Sequence, residues 1–295
     1  MTPEKAETDV TMTSARHYFE DRHLVIATKH RKEAVITPLV DRSLGVISQI
    51  AEGFDTDVLG TFTGEIERKD DALTTLRNKC LMAMALSGCD LGIGSEGSFG
   101  PHPTLFFSHA DDELVVLIDQ KNGLEIVARE LTTETNFNGA FIHSEAQLDA
   151  FAEQALFPSH ALILRDNKDS HKQVFKGITD ADALRSSYRY LMEHFGTVYS
   201  ETDMRAMYNP TRMKVIERAT RKLLEKVHSC CPKCDTPGFG ITQAKSGLPC
   251  RLCHGPTDST LSHVYTCAKC HHTAESKFPH GKTSEDPMYC NNCNP

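Results

Sequence analysis

The sequence has no surplus of basic residues: 32 Lys and Arg stand against 40 Asp and Glu, for a net charge of −8. That balance argues against a chain devoted as a whole to gripping a phosphate backbone. No apolar run approaches the roughly 20 residues that a bilayer span requires. The opening MTPEKAETDVTMTSARHYFED lacks the apolar core of a secretory signal, so a cytoplasmic location is expected. No internal repeat is visible before the cysteine-rich tail. What remains, 39% hydrophobic and 24% charged, is the composition of a soluble globular protein. A chain of 295 residues suffices for one sizeable domain and a small one.

Cysteine is abundant instead. Of 11 cysteines, Cys80 and Cys89 are isolated and the other nine fall between Cys230 and Cys293. Eight of these form four Cys-x-x-Cys pairs: Cys231/Cys234, Cys250/Cys253, Cys267/Cys270 and Cys290/Cys293. With no export signal, a disulfide framework is disfavoured. Paired thiols two residues apart read as zinc ligands, ahead of iron–sulfur or redox chemistry. Two knuckles close one tetrahedral site, so the eight thiolates are expected to hold two structural zinc ions. Consecutive pairing, the first knuckle with the second and the third with the fourth, is the favoured arrangement; nested and crossed pairings remain open. Cys230 is left over, and His254, His263, His271 and His272 are lesser candidates to replace a thiolate. Four-thiolate sites are closed to chemistry and stand in for a hydrophobic core. Residues 229–295 carry six Lys/Arg against five Asp/Glu. A structural or protein-contacting module is therefore favoured over a nucleic-acid binder.

The fold class expected is α/β, a mixed sheet with flanking helices, plus a small C-terminal zinc-ribbon-like module. Residues 1–20 read as a flexible tail, 21–200 as the α/β domain, 201–228 as a connecting helix and 229–295 as the double zinc-ribbon-like module. Strands are predicted at 23–28, 56–63 and 90–94. An antiparallel run follows, TLFFSH, then ADDE, then LVVLID, then a turn at Asn122-Gly123, then LEIVAREL. Strands are also predicted at 161–166 and 173–178. Helices are predicted on Leu73, Leu76, Cys80 and Ala83 up to Gly88, after the capping box Ser144 to Gln147, over 181–196, and over 211–229. The last is basic, with Arg212, Lys214, Arg218, Arg221, Lys222 and Lys226 against Glu217 and Glu225. That pattern reads as a solvated helix face.

Residues 92–103, GIGSEGSFGPHP, are expected to form a loop in which Glu96 holds a divalent cation, alone or with Asp90 or Glu65. Ser95 and Ser98 offer hydroxyls to a phosphate, and His102, between two prolines, is a candidate acid/base. Lys29, His30, Arg31 and Lys32 cluster where a strand hands over to a helix, a favoured place for phosphate. Glu65, Asp70, Asp71, Arg77 and Lys79 gather at a second such junction. The competing reading is that these are solvated helix termini. Arg205, Asn209 and Arg212 either cap helices or line the same cleft as Glu96.

HLVIATKHRKEAVITPLV and RNKCLMAMALSGCDLGIGSEGSF resemble the inosine/xanthosine triphosphate pyrophosphatases and their Maf-like relatives. The resemblance implies that Arg77, Asn78 and Lys79 meet a triphosphate and that Glu96 binds magnesium. The chain departs from that family where His30 replaces its usual Asn and Glu33 falls at its usual Lys. Over a greater length, GSEGSFGPHP, FPSHALILR, TDMRAMYNPTRM and the CPKC…CRLC…CAKC…CNNC tail resemble an uncharacterised bacterial family classed as a domain of unknown function. The function expected is a metal-dependent hydrolase of a nucleotide-like phosphorylated small molecule. Glu96, Lys79 and His102 are its catalytic candidates, and Lys29, Arg77, Asn78, Ser95 and Ser98 its ligand contacts. The alternative is a non-catalytic zinc-binding protein whose tail contacts a protein or, less favoured, a nucleic acid.

Overall fold

The computed structural model describes residues 14–51, 71–170 and 172–295. The strand expected at 56–63, together with Glu65 and Asp70, lies outside the described residues. The chain divides into two compact units, one of Glu20–Leu223 and one joining the described N-terminal residues up to Phe19 with Leu224–Pro295.

The first unit begins with β1 (His23–Ala27), α1 (Glu33–Leu44), β2 (Ile47–Ile50), α2 (Ala72–Ser87), β3 (Leu91–Pro101), β4 (His109–Asp119) and β5 (Leu124–Thr132). These strands form one sheet in the order β2-β1-β3-β4-β5. β1 runs parallel to both β2 and β3, because helical crossovers separate them in the chain. β3, β4 and β5 are joined by short loops and run antiparallel. Gly123, at φ +65°, supplies the left-handed residue that the β4–β5 turn demands.

Helix α2 explains why a strand can be so rich in glycine. Asp71 caps its start by accepting from the N–H groups of Leu73 and Thr74, and Gly88 ends it in the left-handed conformation. Its buried face carries Leu76, Cys80, Ala83 and Met84 onto Val25, Ala27, Val116 and Ile118. A Cβ on Gly92 would stand 2.6 Å from the Met84 side chain and 2.9 Å from Cys80 Sγ. One on Gly94 would stand 3.0 Å from Leu76. These glycines mark a close helix–strand approach, and the expected glycine loop is corrected accordingly. Most of GIGSEGSFGPHP lies within the 11-residue strand β3, and only the segment after Pro101 turns. TLFFSH, expected as a strand, mostly forms that turn, with Phe106 and Phe107 exposed at its tip. ADDE, expected between strands, lies within β4.

The same unit holds a second, antiparallel sheet. It is built from β6 (Gly139–Phe141), β7 (Leu162–Arg165), β8 (Val174–Ile178) and β9 (Tyr199–Thr202), in the order β6-β9-β7-β8. Helices α3 (Glu145–Gln154) and α4 (Ala181–Phe195) cover it, burying Leu148, Phe151, Leu184, Tyr188 and Leu191 against Leu162, Leu164 and Ile178. Helix α5 (Pro210–His228) follows, with Asn209 Oδ1 accepting from the N–H of Arg212 at its start.

In the second unit, β10 (Gly240–Ser246), β11 (Thr260–Thr266) and β12 (Thr273–Lys277) form an antiparallel sheet in chain order. Residues 14–19, read from sequence as part of a loose tail, make a short 3-10 turn with Ala15 and Phe19 fully buried. Among the described residues, no helix is long and apolar enough to cross a membrane.

Candidate functional site

The eight knuckle cysteines gather into two clusters, Cys231, Cys234, Cys267 and Cys270, and Cys250, Cys253, Cys290 and Cys293. The favoured consecutive pairing is therefore corrected: the knuckles interleave, first with third and second with fourth. Strand direction is the reason. The first knuckle precedes β10 and the third follows β11, and antiparallel pairing of Gly240 with Thr266 brings those ends together. The second and fourth knuckles follow β10 and β12, at the other end of the sheet. Seven-residue strands put about 20 Å between the two ends. Sulfur–sulfur distances are 3.7 Å for Cys231–Cys270, 3.6 Å for Cys234–Cys267, 3.9 Å for Cys250–Cys293 and 3.7 Å for Cys253–Cys290. A tetrahedral zinc with bonds of 2.3 Å requires about 3.8 Å between sulfurs, so both clusters could hold zinc. Cys230 and the four histidines belong to neither cluster.

A second concentration of charge lies in the first unit, where β1 ends. β1 pairs with β3 only as far as Ala27 opposite Gly94. From Ser95 on, β3 is paired only with β4 among the described residues. Lys32, at the start of α1, turns back to donate its ammonium to the Ser95 carbonyl at 3.0 Å. On the α2 side, Lys79 Nζ and Glu96 Oε2 make a buried ion pair at 2.9 Å. On the opposite face, Ser95, Gly97 and Phe99 lie beside Val115, Glu113 and Asp111 of β4. Arg212 of α5 reaches this face, donating to Glu113 Oε1 at 2.6 Å and to the Met204 carbonyl at 2.5 Å, with its guanidinium 5.0 Å over the Phe99 ring. Gly97 is required here, since a Cβ would stand 2.2 Å from Glu113 Oε1.

Asp111, Glu113 and Arg212 are all fully buried. Both oxygens of Asp111, Glu113 Oε2 and Ser95 Oγ have no hydrogen-bond partner among the described residues. Burial first, and the charge of Glu113 second, push the Asp111 carboxyl up from 3.8 to about 8. Burial, followed by the nearby Arg212, brings Lys32 down from 10.5 to about 8, although Glu113 and Glu96 oppose the fall. The fold thus keeps the Asp111 proton at pH values where the unfolded chain has released it. Folding stability is expected to fall as pH rises from about 4 to about 8, by at most about 1.4 kcal/mol per pH unit. Lys32 acts with the opposite sign and only above that window. Urea midpoints at pH 5 and pH 8 should differ in the native sequence and draw together in Asp111→Asn.

Most of the other residues singled out from sequence are held elsewhere. Arg77 is engaged by Glu125 of β5, at 2.8 and 2.5 Å, and Asn78 is half-buried on α2. Ser98 lines a cleft of about 240 Å³ with Phe99, Gly100, Pro103, Asp112 and Leu131. Lys29 is half-buried just beyond β1. His102 Nδ1 accepts from the N–H groups of Thr104 and Leu105 at 3.2 and 3.1 Å, which makes it an organiser of the turn. Asp90 pairs with Arg22 at 2.9 Å, before the start of β3. Six residues of extended chain, about 20 Å, separate it from Glu96, so a shared cation is ruled out. Arg205 is bound to Asp203 at 2.5 Å and stacks on Tyr208. Asn209 caps α5, whereas Arg212 enters the buried cluster. Sequence reasoning missed Asp111 and Glu113. Their signal was the alternation Asp111, Glu113, Val115, Leu117 on one face of a single long strand, all buried.

No curated protein and no solved structure matches the chain, so the likeness to triphosphate pyrophosphatases has no support there. A family model described as a domain of unknown function matches residues 79–295, a span that includes the β3 motif, the Met204–Arg212 segment and all four knuckles. By that match the chain belongs to the DUF6671 family.

Proposed function

We propose that the Glu20–Leu223 unit is a metal-dependent hydrolase of a nucleotide-like phosphorylated small molecule, and that the cysteine-rich tail is its non-catalytic zinc module. The observation that carries the reading is the buried Lys79–Glu96 pair beside the end of β1. Ligands of open α/β sheets bind outside the carboxyl ends of the strands where strand order reverses. The gap between β1 and β3 is such a point, since the chain leaves β1 for β2 on the other side. Six buried ionisable groups flank it, Lys79 and Glu96 on one face of β3, Arg212, Glu113 and Asp111 on the other, and Lys32 against the Ser95 carbonyl. With Asp111 protonated at neutral pH, the balance is one positive charge, which favours an anionic ligand. In this reading Glu96 takes Mg2+ when substrate arrives, while Lys79, Lys32 and Lys29 neutralise the phosphoryl oxygens.

A panel of nucleotides with Mg2+ tests it by thermal shift and phosphate release. A ligand at a hundred times its Kd stabilises the folded form by about 2.7 kcal/mol. Glu96→Gln and Lys79→Met should each abolish both the shift and the turnover. The reading fails if no nucleotide raises the melting temperature, or if both variants respond as the native chain does. A non-catalytic reading also has an observation in its favour. Leu252, Met288 and Tyr289, beside ligands of the second cysteine cluster, are 68%, 60% and 60% exposed. Such apolar side chains suit a protein contact.

A further inference from the structure

The two cysteine clusters have the same four ligands and unlike surroundings. Beside the first, Thr236 Oγ1 lies 3.2 Å from Cys234 Sγ, and Thr236 is only 1% exposed. The Thr236 hydroxyl also hydrogen-bonds the Tyr18 phenol. A thiolate can only accept. Facing a thiolate, Thr236 donates its one proton to Cys234, with Tyr18 bonded to the same hydroxyl. The segment bearing Tyr18 is itself tied down. Ser14 Oγ donates to the His228 carbonyl at 2.6 Å, the Ala15 N–H donates to His228 Nδ1 at 3.3 Å, and His17 Nε2 lies 3.2 Å from Asp235 Oδ2. Ala15 and Phe19 are fully buried.

Among the described residues no N-terminal strap reaches the second cluster; its ties are within the module, with the Arg251 N–H donating to the Glu285 carbonyl at 2.9 Å and Asn291 Nδ2 to Asp258 at 3.0 Å. The position two beyond Cys253 is Gly255, which offers only its backbone, and besides the cluster's own Cys290 and Cys293 the side chain that meets Cys253 is Asn292, an exposed residue of the fourth knuckle. The neighbouring Leu252 is largely exposed. Outer-shell hydrogen bonds fix the orientation of metal ligands, and their loss costs about 10- to 100-fold in metal affinity. A buried hydroxyl such as that of Thr236 keeps its geometry; a solvent-exposed amide competes with water.

We infer that the two sites are unequal: residues 14–19 make the first a retained site, with Tyr18 and Thr236 as its positioning residues, and leave the second as the exchangeable one. The inference rests on both clusters holding metal. Its mechanical content is that an N-terminal strap, more than 200 residues away in sequence from the third knuckle, governs which ion is released.

The test is zinc release from the full chain into an excess of a chromogenic chelator. Two phases of equal amplitude are expected. Cys290→Ser, which removes a ligand of the second cluster, should delete the fast phase. Thr236→Val should speed the slow phase about 10-fold or more and leave the fast phase unchanged. Thr236→Ser, which keeps the hydroxyl, should restore the native rate, and Tyr18→Phe should fall between. With cobalt replacing zinc, the thiolate-to-metal absorption should shift in Thr236→Val and not in Thr236→Ser, a change that loosened packing alone does not produce. A single release rate for both ions overturns the ranking. So does a Thr236→Val chain whose two phases accelerate together or not at all. A chain that binds no metal fails at the earlier step, the assignment of the clusters themselves.

Discussion

A chain carrying both Cys234→Ser and Cys267→Ser is expected to keep one zinc ion of two. The two cysteines belong to the same cluster, with sulfurs 3.6 Å apart, so the pair of substitutions empties one site and spares Cys250, Cys253, Cys290 and Cys293. Consecutive pairing would place them in different sites and cost both ions; metal content per chain separates the two outcomes. The energetic effect should be among the largest available in this protein. The first cluster is walled by few apolar groups, chiefly Phe239 with Tyr265 and Ala274. A structural zinc contributes about 10–16 kcal/mol of apparent folding free energy in small domains, far more than that cluster can supply. Loss of the first ion should therefore unfold its end of the module, seen as lost dispersion of the amide signals around Gly240, Thr266 and Thr273. The Glu20–Leu223 unit has its own cores and should keep its signals. Zinc content near zero in the double variant would overturn the interleaved arrangement.

The second large effect is expected at Arg212. Its guanidinium and the Glu113 carboxylate are both wholly removed from solvent and 2.6 Å apart. Breaking such a pair from one side leaves an uncompensated buried charge, at a cost of about 3–5 kcal/mol. Arg212→Met keeps much of the volume and removes the charge, so a loss of that size is predicted from urea unfolding. Glu113→Gln in the same chain should return most of it, because the carboxylate left behind is the source of the penalty. A loss below about 1 kcal/mol in Arg212→Met would mean that the pair is not desolvated as described. The double variant also bears on Asp111, whose carboxyl feels the charges of both partners.

The four knuckles were legible because Cys-x-x-Cys is a local motif: ligand chemistry and spacing both lie within four residues. Helices α2, α4 and α5 were legible for the same reason, each marked by apolar periodicity and a terminal signal such as Gly88, Gly196 or Pro210. Knuckle pairing was not, since it depends on which strand ends meet, and that follows from the directions of β10, β11 and β12. The glycine-rich stretch misled for a related reason. High glycine content usually signals a turn, yet Gly92 and Gly94 answer to Met84, Cys80 and Leu76, and Gly97 to Glu113 and Arg212. Those neighbours are fixed only when the helices dock.

Asp111 and Glu113 show the limit most clearly. A strand bearing carboxylates on its buried face looks improbable in isolation, and ADDE reads as a connection. The partner that makes Glu113 tolerable is Arg212, 99 residues further on. Composition, ligand type and local periodicity are properties of neighbouring residues, so they survive in the order of the letters. Register, face and ionic partnership join residues far apart in the chain. They are settled only when burial makes an unpaired charge or an unfilled contact too costly to keep.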